Sequence, residues 1–277
     1  MTNPSRYVII LIQLGGIMKK IVLFDMDGTL TPARQPITWD VINKLIELQK
    51  TGFEIGIVTG SDLEYIKQQC DILLDHIALD RNAIHLMPCN GTKYYRINNS
   101  GFSKVYEENM REELGEENWK RMIRIITNLQ LSLINGNKDI PITGHFINYR
   151  GSTLNWCPIG RQSNIQDREK WCLLDKHGWI RHRWLKNIRE EFDASNLERV
   201  VIKMGGDTSF DIYPEGWDKT HAFKIFEKYD KIYFVGDRCG PNGNDKEAYE
   251  MAGKLGFKTK DPEQTIDIID KIITEDK

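Results

Sequence analysis

The segment FDMDGTLT, residues 24–31, sets two carboxylates two positions apart, Asp25 and Asp27, at the end of the apolar run KIVLFD. That run reads as a buried strand, and Gly28-Thr29 reads as the turn that ends it. Residues two apart on a strand point the same way. Once the strand breaks at Gly28, the second carboxylate can swing over the first. One acid can then attack phosphorus while the other moves protons. A carboxylate approaching a phosphoryl group meets like-charge repulsion, so this chemistry needs a divalent cation held by Asp25 and a further acid. A calcium loop of the EF-hand type would need more acids at fixed spacing and a closing glutamate. Here Thr29-Leu30-Thr31-Pro32 follows instead.

Three further stations follow in order. FEIGIVTG (53–60) reads as a second strand and ends at Thr59-Gly60-Ser61-Asp62, where hydroxyls and backbone N–H groups can hold phosphoryl oxygens. Lys219, in Gly216-Trp217-Asp218-Lys219, is expected in the first turn of a helix, where it can neutralise transition-state charge. KIYFVGD (231–237) reads as a third strand ending in Asp237, with Asn244-Asp245 in the loop beyond as the place for a metal ligand and its supporting shell.

The elements between these stations indicate how they are positioned. Thr38 is placed to cap a helix whose apolar residues Val41, Ile42, Leu45 and Ile46 share a face, and Gly52 stops it. Further helical stretches are expected from Trp217 and around Lys246 to Gly253. Alternating strand and helix predicts an α/β fold, a doubly wound parallel (Rossmann-like) sheet with its site at the carboxyl ends of the strands. From 91 to 206 the pattern changes to a long helix around Met110 to Ile134, a hairpin over TGHFINYR and STLNWCPIG, two helices and more strands. This predicts an inserted α+β cap domain, with a discontinuous core of residues 18–90 and 207–277. Hinges are expected near Asn90-Gly91 and Gly205-Gly206.

The insert carries 19 Lys+Arg against 14 Asp+Glu, and the remainder 19 against 26. A basic cap over an acidic core suits a metal–carboxylate site facing a surface that grips a polyanionic small molecule. With a net charge of -2, the chain shows no field that calls for nucleic acid or an anionic membrane as partner. Five unpaired-looking cysteines without a C-x-x-C motif indicate reduced thiols and a cytoplasmic setting. Residues 7–17 are apolar but too short to span a bilayer, and residues 1–17 are expected to be an extension outside the fold. Trp156, Trp171, Trp179 and Trp184 are read as core or interface. His145, His177 and His182 show no metal-ligand spacing.

Taken together, the four stations resemble the motifs of the haloacid dehalogenase superfamily. The blocks FDMDGTLTPARQ, HFINYRGSTLNWCPIGR, DREKWCLLDK and TSFDIYPEGWDK are similar to its eukaryotic-type phosphomannomutases, over residues 20 to about 268. The resemblance implies Asp25 as phosphorylated nucleophile, Asp27 as acid/base and Asp237 as a Mg²⁺ ligand with Asp25; Asp27 is expected beside them at the metal, and Thr59 and Lys219, read from their own stations, as catalytic partners. It further implies substrate contacts from Arg34, Arg150, Arg161, Arg168, Ser209 and Asp211, and a hexose phosphate substrate. A hexose 1,6-bisphosphate activator and a homodimer formed through the cap belong to the same expectation. Ser209 and Asp211 alternate along an expected strand and so share a face. The sequence departs from the family blocks at Thr59, Asn148-Tyr149 and Asp207. Thr59 is the feature that favours the alternative, a Mg²⁺-dependent sugar-phosphate phosphatase.

Overall fold

A computed structural model describes residues 18–98, 101–136, 139–241 and 243–276. The expected extension, residues 1–17, lies outside them. Along the chain run β1 (Lys20–Phe24), α1 (Trp39–Lys50), β2 (Phe53–Val58), α2 (Leu63–Leu74), β3 (Ile84–Met87), β4 (Lys93–Asn98) and β5 (Gly101–Glu107). Next come α3 (Met110–Gly136), β6 (Ile147–Tyr149), β7 (Leu154–Trp156), α4 (Ile165–Gly178), α5 (Ile180–Ala194), β8 (Val200–Gly205) and β9 (Ser209–Pro214). The chain closes with α6 (His221–Ile225), β10 (Lys231–Gly236), α7 (Lys246–Ala252), β11 (Gly256–Lys258) and α8 (Pro262–Glu275).

The larger sheet has the order β11-β10-β1-β2-β3-β4-β5, parallel from β11 to β3 and antiparallel at β4 and β5. Strand β1 is apolar almost throughout because helices cover both faces of the sheet. Its alternate side chains divide accordingly. Val22 and Phe24 pack with α1, α2 and α8, while Ile21 and Leu23 pack with α6 and α7. The apolar stripe of α1 is buried as expected at Val41, Ile42, Leu45 and Ile46. Thr38 occupies the N-cap position, but its hydroxyl makes no capping bond.

The smaller sheet has the order β6-β7-β9-β8 and is antiparallel. One face buries Leu154, Trp156, Ile202, Phe210 and Ile212 against α3 and α5. The other carries Asn155, Ser209 and Asp211 into a cleft above the larger sheet. Trp156 and Trp171 are core residues as expected, whereas Trp179 is exposed, in a left-handed conformation between α4 and α5.

Strand pairing moves the expected domain boundaries. Asn90 and Gly91 form the turn from β3 to β4, and both β4 and β5 extend the larger sheet, so the chain leaves it after Glu107. Gly205 and Gly206 lie at the turn joining β8 to β9, so the smaller sheet continues to Pro214. Glycine marks a turn in a sequence but does not indicate which sheet receives the next strand. Gly91 has φ +86°, and a Cβ there would lie 2.9 Å from the backbone nitrogen of Ala222. That requirement comes from packing between turn and helix, not from a hinge. The helix expected from Trp217 begins at His221.

Candidate active site

Three adjacent strands deliver the site. In register, Phe24 pairs with Ile57 of β2 and with Val235 of β10, so Asp25, Thr59 and Asp237 emerge side by side at the carboxyl edge. Here the chain order reverses direction across the sheet, the place where open α/β sheets form their clefts. The Asp25 backbone N–H donates to Val235 O at 2.9 Å, which fixes the base of the loop. Loop residues 26–31 then fold back on themselves, with the N–H groups of Thr29, Leu30 and Thr31 all donating to Met26 O.

Asp25 is 5% exposed and Lys219 1% exposed. The Lys219 ammonium bridges the carboxylates of Asp25 and Asp245. Asp25, Asp237 and Asp245 each offer an oxygen within 4.8 Å of the other two. Burial, then the Asp245 charge, pushes the Asp25 carboxyl up to about 8 against the opposing pull of Lys219. Burial and Asp245 likewise push Asp237 up to about 6. Burial works against the charged form of Lys219, but Asp245 and Asp25 more than reverse it and hold the amine above its ordinary value.

Three acids share the Lys219 ammonium and, at Asp237, a partly exposed Arg238 guanidinium 3.7 Å away, which leaves the cluster short of positive charge. Asp237 Oδ1 and Asn244 Oδ1 are buried without a hydrogen-bond partner. Gly28, at φ +84°, brings backbone so close that a Cβ would lie 2.6 Å from Asp237 Oδ2. Hard oxygen donors with unspent lone pairs in a tight acidic cradle fit a divalent cation such as Mg²⁺. The Asp27 side chain, expected among the ligands, is turned elsewhere: its Oδ1 accepts from the Tyr65 hydroxyl (2.8 Å) and the Arg34 N–H (3.1 Å). Asp245 takes its place in the carboxylate cluster.

A cavity of about 550 Å³ opens above these acids. Its walls include Asp25, Asp27, Arg34, Thr59 and Asp237 from the larger sheet's loops, and Arg150, Asn155, Arg161, Arg168, Ser209 and Asp211 from the smaller sheet's side. The cleft thus gathers all the residues expected there except Lys219, which lies behind Asp25. Thr59 Oγ1 accepts from the Ser61 N–H at 3.2 Å. The arginines are anchored through short contacts: Arg150 Nη1 to Gly60 O (2.7 Å), Arg161 Nη1 to Asn155 Oδ1 (2.7 Å) and Arg168 Nη2 to Thr208 Oγ1 (3.1 Å). Burial, then the Arg150 charge, lowers the Arg161 guanidinium pKa, and burial with the Arg34 charge does the same at Arg168. Cations that repel one another in a cleft form a receptor for an anion. Asn155 Nδ2 also holds Asp211 Oδ1 at 2.7 Å, and this presents the acid to the cavity beside Ser209.

Sequence reasoning assigned no role to Tyr65, Asn155 or Thr208. Tyr65 stands in the first turn of a capped helix and Asn155 alternates with buried neighbours on β7, signals that identify a face but not what the face meets.

Comparisons with known proteins agree with this architecture. A truncated Plasmodium falciparum IMP-nucleotidase superposes with TM-score 0.65 at 15% identity, covering 92% of this chain and 70% of that one. A trehalose-6-phosphate phosphatase related protein gives TM-score 0.51 at 16% identity, covering 93% and 98%. At such identities the likeness concerns the fold. Closer relatives are curated phosphomannomutases. That of Dendrobium officinale is 36% identical over 246 residues (88% of this chain, 90% of the relative), and that of Drosophila melanogaster is 33% identical over 257 residues (91% and 95%). Residues 41–275 match the family described as eukaryotic phosphomannomutase. With that match spanning most of its length, over a cleft where buried acids face clustered arginines, the chain belongs to the eukaryotic phosphomannomutase family.

Proposed function

We propose that this chain interconverts mannose 6-phosphate and mannose 1-phosphate through a phosphoaspartate at Asp25 and a hexose 1,6-bisphosphate. The observation that carries the proposal is the two-ended cleft, with a buried acid cluster and Lys219 below and three anchored arginines above. A mutase intermediate bears two phosphates, and each end suits one.

Asp25 attacks phosphorus, and the Lys219 ammonium beside it reduces the repulsion that opposes this. Asp25 and Asp237, with Asp245 in support, would hold Mg²⁺, which would supply charge neutralisation for the phosphoryl oxygens. Asp27 protonates the departing sugar oxygen, then takes the proton from the hydroxyl that next receives the phosphoryl group. Thr59 supports the transferring phosphoryl group. Arg150, Arg161 and Arg168, with Arg34, hold the distal phosphate, while Ser209 and Asp211 bind sugar hydroxyls.

Water must be kept from the phosphoaspartate. Contacts across the cleft support a closed state: Arg150 to Gly60 O, Lys203 to Glu247 at 2.5 Å and Arg238 to Asp207 at 3.6 Å. Five free cysteines support a reducing, cytoplasmic setting, and no helix among the described residues is long and apolar enough to cross a membrane. Exposed Leu131 and Ile134 on α3 and Leu173 on α4, all in the inserted segment, support pairing of two copies through the cap.

Phosphorus NMR tests the reaction. Mannose 1-phosphate with Mg²⁺ and a hexose bisphosphate should give mannose 6-phosphate. Inorganic phosphate accumulating in its place would refute the proposal in favour of a phosphatase.

A further inference from the structure

Two donors from separate segments converge on one oxygen of Asp27. The Tyr65 hydroxyl reaches Oδ1 at 2.8 Å from the first turn of α2, and the Arg34 N–H reaches the same atom at 3.1 Å from the loop after β1. Both are held in place. The Tyr65 backbone N–H donates at 3.0 Å to Asp62, the N-cap of α2, so the ring projects from a fixed helix start. Arg34 has φ +60°, a left-handed conformation costing about 1–2 kcal/mol outside glycine. Tyr65 and Asp27 both line the cavity.

We propose that Tyr65 is a positioning residue for proton transfer: by occupying Asp27 Oδ1 together with the Arg34 N–H, it leaves Oδ2 as the oxygen that carries the transferred proton. A carboxylate oxygen that accepts two hydrogen bonds has its in-plane lone pairs engaged, so a proton settles on its partner. The phenol is stiff, with two side-chain torsions, and spans from helix to loop without the entropy cost of a flexible chain. The carboxyl therefore presents one oxygen in one orientation to each of the two reacting sugar oxygens in turn. This inference rests on Asp27 as the acid/base.

The test is Tyr65→Phe in the full-length Mg²⁺-loaded protein, which keeps the ring and removes only the hydroxyl. Formation of the phosphoenzyme is timed by rapid quench with mannose 1-phosphate, phenyl phosphate and p-nitrophenyl phosphate as donors. The first two have leaving oxygens that need a proton, whereas p-nitrophenolate departs without one. Losing an aligned donor should slow the first two about tenfold, with KM inside about twofold, and leave p-nitrophenyl phosphate nearly unchanged. Equal loss with all three donors would mark a merely structural tyrosine and overturn the inference. So would unchanged rates on all three while Asp27→Asn is inactive on the sugar phosphate. Full sugar-phosphate turnover by Asp27→Asn would instead refute the acid/base reading beneath it.

Discussion

Replacing Lys219 by methionine keeps the aliphatic stem in its buried slot and removes one charge. Three carboxylates share the cluster, and two of them pair with this ammonium. With the Arg238 guanidinium 3.7 Å from Asp237 counted, the fully ionised group carries a formal charge of -1 with the lysine and -2 without it. Removing one partner of a buried ion pair costs about 3–5 kcal/mol, because the remaining charge stays buried and uncompensated. Against a typical total of about 5–15 kcal/mol, that loss should lower the midpoint of urea unfolding visibly when EDTA is present. Added Mg²⁺ should then raise the midpoint of Lys219→Met more than that of the parent, since the cation becomes the main neutralising charge. Phosphoenzyme formation, followed with labelled hexose bisphosphate, should slow by about a hundredfold or more, the scale for deleting one preorganised electrostatic stabiliser. An unchanged unfolding midpoint in EDTA together with a rate within about threefold of the parent would refute the reasoning.

Asp25→Asn should abolish acid-stable labelling of the enzyme, and label retained at another residue would remove Asp25 as nucleophile. Arg161→Ala should impair mutase turnover while sparing Asp25 phosphorylation by acetyl phosphate, which has no distal phosphate to hold; unchanged mutase kinetics would take that arginine out of the site. Far from the cleft, Asp276 joins Lys20 and Lys231 at 2.5 and 2.6 Å. Burial raises its carboxyl, but hydrogen bonds from the two lysines outweigh that and hold it below its ordinary value. A depressed carboxyl contributes stability above its unfolded value of about 3.9 and loses it as pH falls through the folded value. Asp276→Asn should therefore unfold more easily than the parent at pH 7, with the gap closing below about pH 4. A gap independent of pH in acid denaturation would contradict the ion-pair account.

Much of the site could be read along the chain because its parts are tied to strand ends. Asp25, Thr59 and Asp237 each follow an apolar run, and parallel pairing of such runs brings their carboxyl ends to one edge whatever the register details. The face shared by Ser209 and Asp211 follows from strand periodicity alone. Other features depended on which distant segments pair. Strands β4 and β5 carry alternating polar residues that would suit either sheet, and only pairing with β3 assigns them to the larger one. Asp245 joins the carboxylate cluster because the loop after β10 folds back, its Oδ2 accepting from the Arg238 N–H at 2.9 Å. Placing Arg150, Arg161 and Arg168 opposite the acids also required the smaller sheet to lie over the larger one. The sequence by itself determined the chemistry available and the strand ends that carry it, since both are local properties of residue type and period. Tertiary structure alone decided which oxygen of Asp27 is held, which acid completes the cluster and where the chain passes between sheets, because those depend on contacts between segments whose separation no local pattern encodes.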